Sequence, residues 1–132
     1  MIGLDTNVLI RILVVDDAGQ AELARQYLGQ NCTASDPGFV NLVVVCELIW
    51  TLDRFYGLGR QEIANAVAFL LEQENIIVEE RLHVASALQQ LLKKGADPAD
   101  LLIAEINRAN GCEATATFDR KAAKLDGFTL IR

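Results

Sequence analysis

The stretch from Asp97 to Asp119, "DPADLLIAEINRANGCEATATFD", decides the fold. Asp97 stands at a cap position, Pro98 at the first helical position and Asp100 at the third, and together they mark a helix start. Gly111 closes that helix. "EATATFD" then reads as a strand ending on Asp119. A helix that hands over directly to a short strand is the working unit of an α/β chain.

The same alternation runs outward in both directions. "MIGLD" is a short apolar strand ending on Asp5, and "TNVLIRILV" is a helix that Thr6 or Asn7 can cap. "DDAG" breaks it. "QAELARQYLG" puts Ala21, Ala24 and Leu28 on one helical stripe, with Gly29 as the expected stop. "TASDPGFV" is a turn followed by an extended segment. Asn41 can cap a helix that runs to about Tyr56 and stops at Gly57. "GRQEIANAVAFLLEQ" is amphipathic through Ile63, Ala66, Val67, Leu70 and Leu71. "NIIVE" is a β-branched strand. "RLHVASALQQLLKKG" is a helix with Leu88, Leu91 and Leu92 inward and Gly95 at its end. "RKAAKL" is a helical turn or two, and "GFTLI" a last strand. This pattern predicts an α/β fold whose largely parallel sheet is covered on both faces. With no repeat, low-complexity run or linker, residues 1–132 are expected to form a single domain.

Composition narrows the function classes. Hydrophobic residues make up 52% of the 132, which argues for a buried sheet or a sizeable interface. No apolar run is long enough to cross a bilayer. "MIGLDTN" lacks the basic start and long apolar stretch of a signal peptide, so no membrane and a cytoplasmic location are expected. Cys32, Cys46 and Cys112 are widely spaced and odd in number, as free thiols of a reducing compartment are. A single histidine, His83, excludes a site built on several. Acidic residues outnumber basic ones 18 to 12, for a net charge of −6. Phosphate affinity rests on Lys and Arg, so charge alone favours a basic protein partner or bound cations over nucleic acid. Lys93 and Lys94, and the trio Arg120, Lys121 and Lys124, interrupt that balance locally.

Four carboxylates stand out by position. Asp5 and Asp119 end strands, and ligands of open parallel sheets gather at strand carboxyl ends. Asp100 lies in the first turn of a helix. Glu47 sits inside "LVVVCELIW", residues 42–50, on what reads as an apolar helix face. Each has a plainer structural role available, as a turn former, a dipole-favoured acid or a solvated side chain. Taken together they read as convergent at one sheet edge, with Glu47 turned towards a shared cation. Crowded carboxylates repel, and their pKa values rise unless a cation joins them. Oxygen donors without His or Cys favour Mg²⁺ or Mn²⁺. Such ions can activate water and stabilise in-line attack on phosphorus.

These residues carry a resemblance. "MIGLDTNVLIRIL", "FVNLVVVCELIWTLDRFYGLGRQEI", "GADPADLLIAEINRANGCEATATFDRKAAKL" and "GFTLI" together resemble the PIN-domain ribonucleases, and most of all the VapC toxins of toxin–antitoxin modules. The likeness covers nearly the whole chain, with the motifs in order. It implies a three-layer α/β/α domain with a central, mainly parallel sheet, and a Mg²⁺- or Mn²⁺-dependent endoribonuclease that leaves a 5′-phosphate and a 3′-hydroxyl. By position the catalytic and metal-holding acids would be Asp5, Glu47, Asp100 and Asp119. Thr6, Asn7 and Thr117 would support them, Asp97 would be a cap first and an outer acid second, and Arg120, Lys121 and Lys124 would meet the RNA backbone. The partners implied are a structured RNA such as tRNA or rRNA, a second copy of the chain, and a small antitoxin with a basic tail. Asn41 stands where many relatives have Ser or Thr, and Pro98 where many have an aromatic residue.

Three other readings compete. A phosphatase with Asp5 as nucleophile usually wants a second Asp two positions on, where this chain has Asn7. A binding module with a decayed site would not keep all four acids. A PIN nuclease of RNA processing, without an antitoxin, is the third.

Overall fold

The computed structural model describes residues 1–14, 16–94 and 96–132, without the side chains of Lys93 and Lys94. The expected helix stop at Gly95 and the Lys93–Lys94 pair therefore lie outside the described residues. The chain divides into two compact units, Met1–Arg81 and Leu82–Arg132.

The first unit runs β1 (Ile2–Gly3), α1 (Thr6–Leu13), α2 (Ala18–Asn31), β2 (Gly38–Val40), α3 (Leu42–Arg54), α4 (Arg60–Glu72) and β3 (Ile76–Val78). Its strands form a parallel sheet in the order β1-β2-β3, with Ile2 opposite Gly38 and Gly38 opposite Ile76. The ladder continues one step past the strands. Leu4 N donates to the Phe39 carbonyl at 2.8 Å and Glu79 N to the Val40 carbonyl at 2.9 Å. Asp5, Asn41 and Glu79 consequently stand level at the carboxyl ends of three neighbouring strands. Close packing at β2 depends on a missing side chain. A Cβ on Gly38 would meet Leu4 Cδ1 at 2.7 Å and Cys32 Sγ at 3.1 Å.

The helices of this unit bury the stripes their spacing dictates. Ala21, Ala24 and Leu28 are buried on α2, and Ile63, Val67, Leu70 and Leu71 on α4. Val45, Leu48, Ile49 and Leu52 form the inner stripe of α3, each contributing about 1.5–3 kcal/mol. Two local expectations change. Asp5 caps α1 rather than Thr6 or Asn7, since its carboxylate accepts from Thr6 N at 2.6 Å. Gly29 does not stop α2, which continues to Asn31, because glycine only weakens a helix that packing holds.

The second unit runs α5 (Arg81–Lys94), α6 (Pro98–Ala109), β4 (Thr115–Thr117), a 3₁₀ turn (Ala122–Lys124) and β5 (Phe128–Leu130). Strands β4 and β5 pair in parallel, Thr115 opposite Phe128. Where the sequence pattern read as one central sheet, backbone pairing sorts the described strands into three and two. Val84, Leu88 and Leu91 of α5 are buried as its period requires, but Leu92 is 51% exposed, correcting its inward placement. Asn107 of α6 donates its side-chain amide to Thr115 Oγ1 at 2.8 Å, tying helix to strand. At the turn into β5, Gly127 has φ +91°, which a side chain rarely adopts. Parallel strands interleaved with helices make this an α/β fold, as the sequence predicts. Among the described residues no helix is long and apolar enough to cross a membrane.

Candidate active site

In the second unit the local sequence brings Asp100 within reach of the charges of Asp97 and Asp119. Asp97 caps α6 by accepting from Ala99 N at 2.8 Å, and Pro98 follows at the first helical position. Asp100, half-buried, is in the same turn. Asp119 follows β4, and its Oδ1 accepts from Lys121 N at 2.8 Å. Thr117 Oγ1 accepts from Asp119 N at 3.0 Å. The Asp100 carboxyl is pushed above its ordinary 3.8, first by burial, then by the negative charges of Asp97 and Asp119. Asp100 thus carries the cost of crowding that a cation would relieve. Arg120, Lys121 and Lys124 are exposed nearby in the chain, as cations that meet a phosphate backbone must be.

In the first unit Asp5 is exposed at the carboxyl end of β1, and Asn7 is exposed in the first turn of α1. Thr6 between them is only 4% exposed, and its hydroxyl oxygen has no hydrogen-bond partner. An orphaned buried hydroxyl is uncommon and asks for a water or an ion. Glu47 requires a correction. It is exposed, on the outer face of α3 with Val43 (76% exposed) and Trp50 (58% exposed). The apolar neighbours in "LVVVCELIW" are therefore not all buried, and desolvation does not compel Glu47 to seek a cation.

Among the described residues no three His, Cys, Asp or Glu groups already stand in metal-holding geometry. The chemistry of the donors still fits a hard divalent ion. They are carboxylates without thiolate or imidazole, in the second unit Asp97 and Asp119 raise the proton affinity of Asp100, and in the first Asp5 precedes the residue whose hydroxyl is unsatisfied.

The PIN-domain family profile matches residues 2–128, which takes in every acid described above. The chain belongs to the PIN-domain family. PIN domains are in general metal-dependent nucleases, and a donor set of acids at strand ends suits that chemistry. No curated protein matches this PIN domain.

Two features of the PIN domain escaped the sequence. The charge of Asp97 on Asp100 had a readable signal, since acids three apart share a helix face. Glu79 had none. Its Oε1 accepts from Leu42 N, at the start of α3, at 2.7 Å across 37 residues of chain.

Proposed function

We propose that this PIN domain is a Mg²⁺- or Mn²⁺-dependent endoribonuclease, the toxin of a VapBC-type pair, acting on structured RNA such as tRNA or rRNA. The observation that carries the reading is the crowding around Asp100, whose carboxyl is raised by burial, Asp97 and Asp119 within a chain of a nuclease family. A divalent ion would be held by Asp5, Glu47, Asp100 and Asp119, and when bound it would make water a better nucleophile and offset charge on the attacked phosphate. The chain's own residues supply the rest. Thr117 fixes the backbone of Asp119 through its hydroxyl. The Asp97 side chain holds the first turn of α6, and with it Asp100. Asp5 accepts from Thr6 N, which aims one carboxylate oxygen at the backbone and leaves the other for the site. Arg120, Lys121 and Lys124 steer the RNA backbone.

The toxin reading adds partners. The net charge of −6 suits a small antitoxin with a basic tail better than it suits RNA. Val43, Trp50 and Phe55 on α3 and its end, and Phe69 on α4, are exposed apolar side chains of the kind a second copy or an antitoxin helix covers. Cytoplasmic location follows from the RNA target.

The test is cleavage of total tRNA and rRNA by purified protein, with Mn²⁺, with Mg²⁺ and with chelator, beside an Asp5→Asn variant. The expected result is metal-dependent cleavage leaving 3′-hydroxyl ends, lost in Asp5→Asn with an unchanged circular-dichroism spectrum. Full activity in Asp5→Asn, or in excess chelator, rejects the assignment. A small basic partner encoded beside the gene, forming a complex that silences cleavage, separates the toxin from an RNA-processing PIN nuclease.

A further inference from the structure

We infer that Glu79 is a positioning residue for Glu47, gripping the start of α3 from the end of β3; the inference rests on the nuclease reading above. An α-helix leaves its first N–H groups without partners, and its start frays unless something holds them. On α3 two side chains from two different strand ends do so. Asn41 Oδ1, after β2, accepts from Val44 N at 2.8 Å. Glu79 Oε1, after β3, accepts from Leu42 N at 2.7 Å. Asn41 is a local cap, in the turn that joins β2 to α3. Glu79 is anchored elsewhere, because its own N–H bonds the Val40 carbonyl at 2.9 Å in the sheet ladder. It therefore fixes the first turn of α3 to the carboxyl edge of the sheet, level with Asp5 and Asn41.

The grip reaches Glu47 through the helix backbone. Glu47 lies five residues beyond Leu42, about 7.5 Å along the axis, and its N–H bonds the carbonyl of Val43 in the turn that Glu79 holds. Fraying of that turn would free Glu47. Glu47 is exposed, so burial does not hold its side chain in place. The chemistry of the grip also suits a carboxylate, since the helix N-terminus carries partial positive charge. The chain bends sharply to deliver it. Glu80, the next residue, has φ +55°, the one positive value among the described non-glycine residues, and α5 begins immediately after. A strained residue persists where its surroundings over-determine it.

The experiment uses the full chain and three variants, Glu79→Ala, Glu79→Gln and Glu47→Gln, with the Glu79→Ala/Glu47→Gln double. Amide hydrogen exchange by NMR is read without metal. In Glu79→Ala, exchange at Leu42 and Glu47 is expected to quicken together, by roughly fivefold for the loss of one cap. Glu79→Gln, whose carbonyl oxygen still accepts, is expected to restore most of the protection. In Mn²⁺-dependent cleavage, Glu79→Ala is expected to lower kcat roughly tenfold, at the low end of what loss of an outer-shell support costs, with KM little changed. The double variant is expected to be no slower than Glu47→Gln alone, because Glu79 acts through Glu47. Unchanged exchange in Glu79→Ala, quickening at Leu42 without Glu47, or additive losses in the cycle would each overturn the inference. A wild-type chain that cleaves no RNA, while Leu42 and Glu47 still lose protection in Glu79→Ala, would reject the nuclease reading and leave the grip established.

Discussion

The starts of α3 and α6 solve the same problem with opposite charge arrangements. At α3 a neutral cap, Asn41, and a carboxylate borrowed from a distant strand, Glu79, satisfy the helix end, while the candidate acid Glu47 stands exposed beyond the first turn. At α6 the cap is itself an acid, and Asp100 follows it in the same turn with the charge of Asp119 also acting on it. A helix N-terminus favours a negative charge by about 0.3–1 kcal/mol, which should lower the pKa of Asp100. The carboxyl is raised instead. Burial, then the charges of Asp97 and Asp119, set that direction, so the start of α6 carries a repulsion of its own.

The largest expected effect follows directly. Asp100→Asn removes a ligand from the proposed ion and should slow Mn²⁺-dependent cleavage by about 100-fold or more. It also removes a carboxylate that is charged at pH 7 against its surroundings, so the melting temperature at that pH should rise. Thermal melts beside the cleavage assay read both. A variant that loses activity and melts lower would mean that Asp100 stabilises the second unit, and the contrast with α3 would fail.

The next effect tests the first unit, where packing rather than charge sets the geometry. Gly38→Ala puts a Cβ 2.7 Å from Leu4 Cδ1 and 3.1 Å from Cys32 Sγ, both on buried residues. Overpacking of this kind costs about 1–3 kcal/mol, read as a lower urea midpoint at unchanged slope. Because Leu4 precedes Asp5, the displacement should also slow cleavage. A neutral Gly38→Ala would show that β1 and β2 have room to part, and that Asp5 is held less firmly than the sheet register implies.

These contrasts also explain what could be read in advance. The α6 start was legible because a cap, a proline and an acid at fixed offsets each have a local physical reason to be there. The inner stripes of α2 and α4 were legible because their buried apolar residues recur at helical spacing. Glu47 was misjudged because α3 is apolar on nearly every face, and period cannot say which apolar residues point out. Val43 and Trp50 do, as folded surfaces retain much apolar area. Leu92 failed for the same reason. Gly29 was read as a stop from a local bias that packing overrode. Glu79 could not be read at all, because its bond to Leu42 N exists only once β3 has taken its place beside β2. The acids of the site were visible as types and positions. The pressure of Asp119 on Asp100 exists only in the folded chain, whereas that of Asp97 follows from helical spacing.

The smallest effect isolates that electrostatic coupling. Asparagine caps a helix about as well as aspartate, so Asp97→Asn should keep α6 intact while removing one charge from Asp100. Burial and Asp119 remain, so the Asp100 carboxyl should titrate lower than in the wild type yet still above the ordinary 3.8. The sign for stability follows from linkage. A carboxyl whose folded pKa is raised takes up its proton in the native chain before the unfolded one, so it destabilises above its folded pKa, and that penalty is relieved as pH falls through it. With Asp97 neutral the penalty at pH 7 shrinks, and so does the part of the pH dependence between neutrality and the unfolded value that Asp100 contributes. Carbon-detected titration of the Asp100 side chain in both proteins reads the shift directly. If Asp100 titrates identically in Asp97→Asn, burial and Asp119 raise it without Asp97, and the two charges at the α6 start are independent.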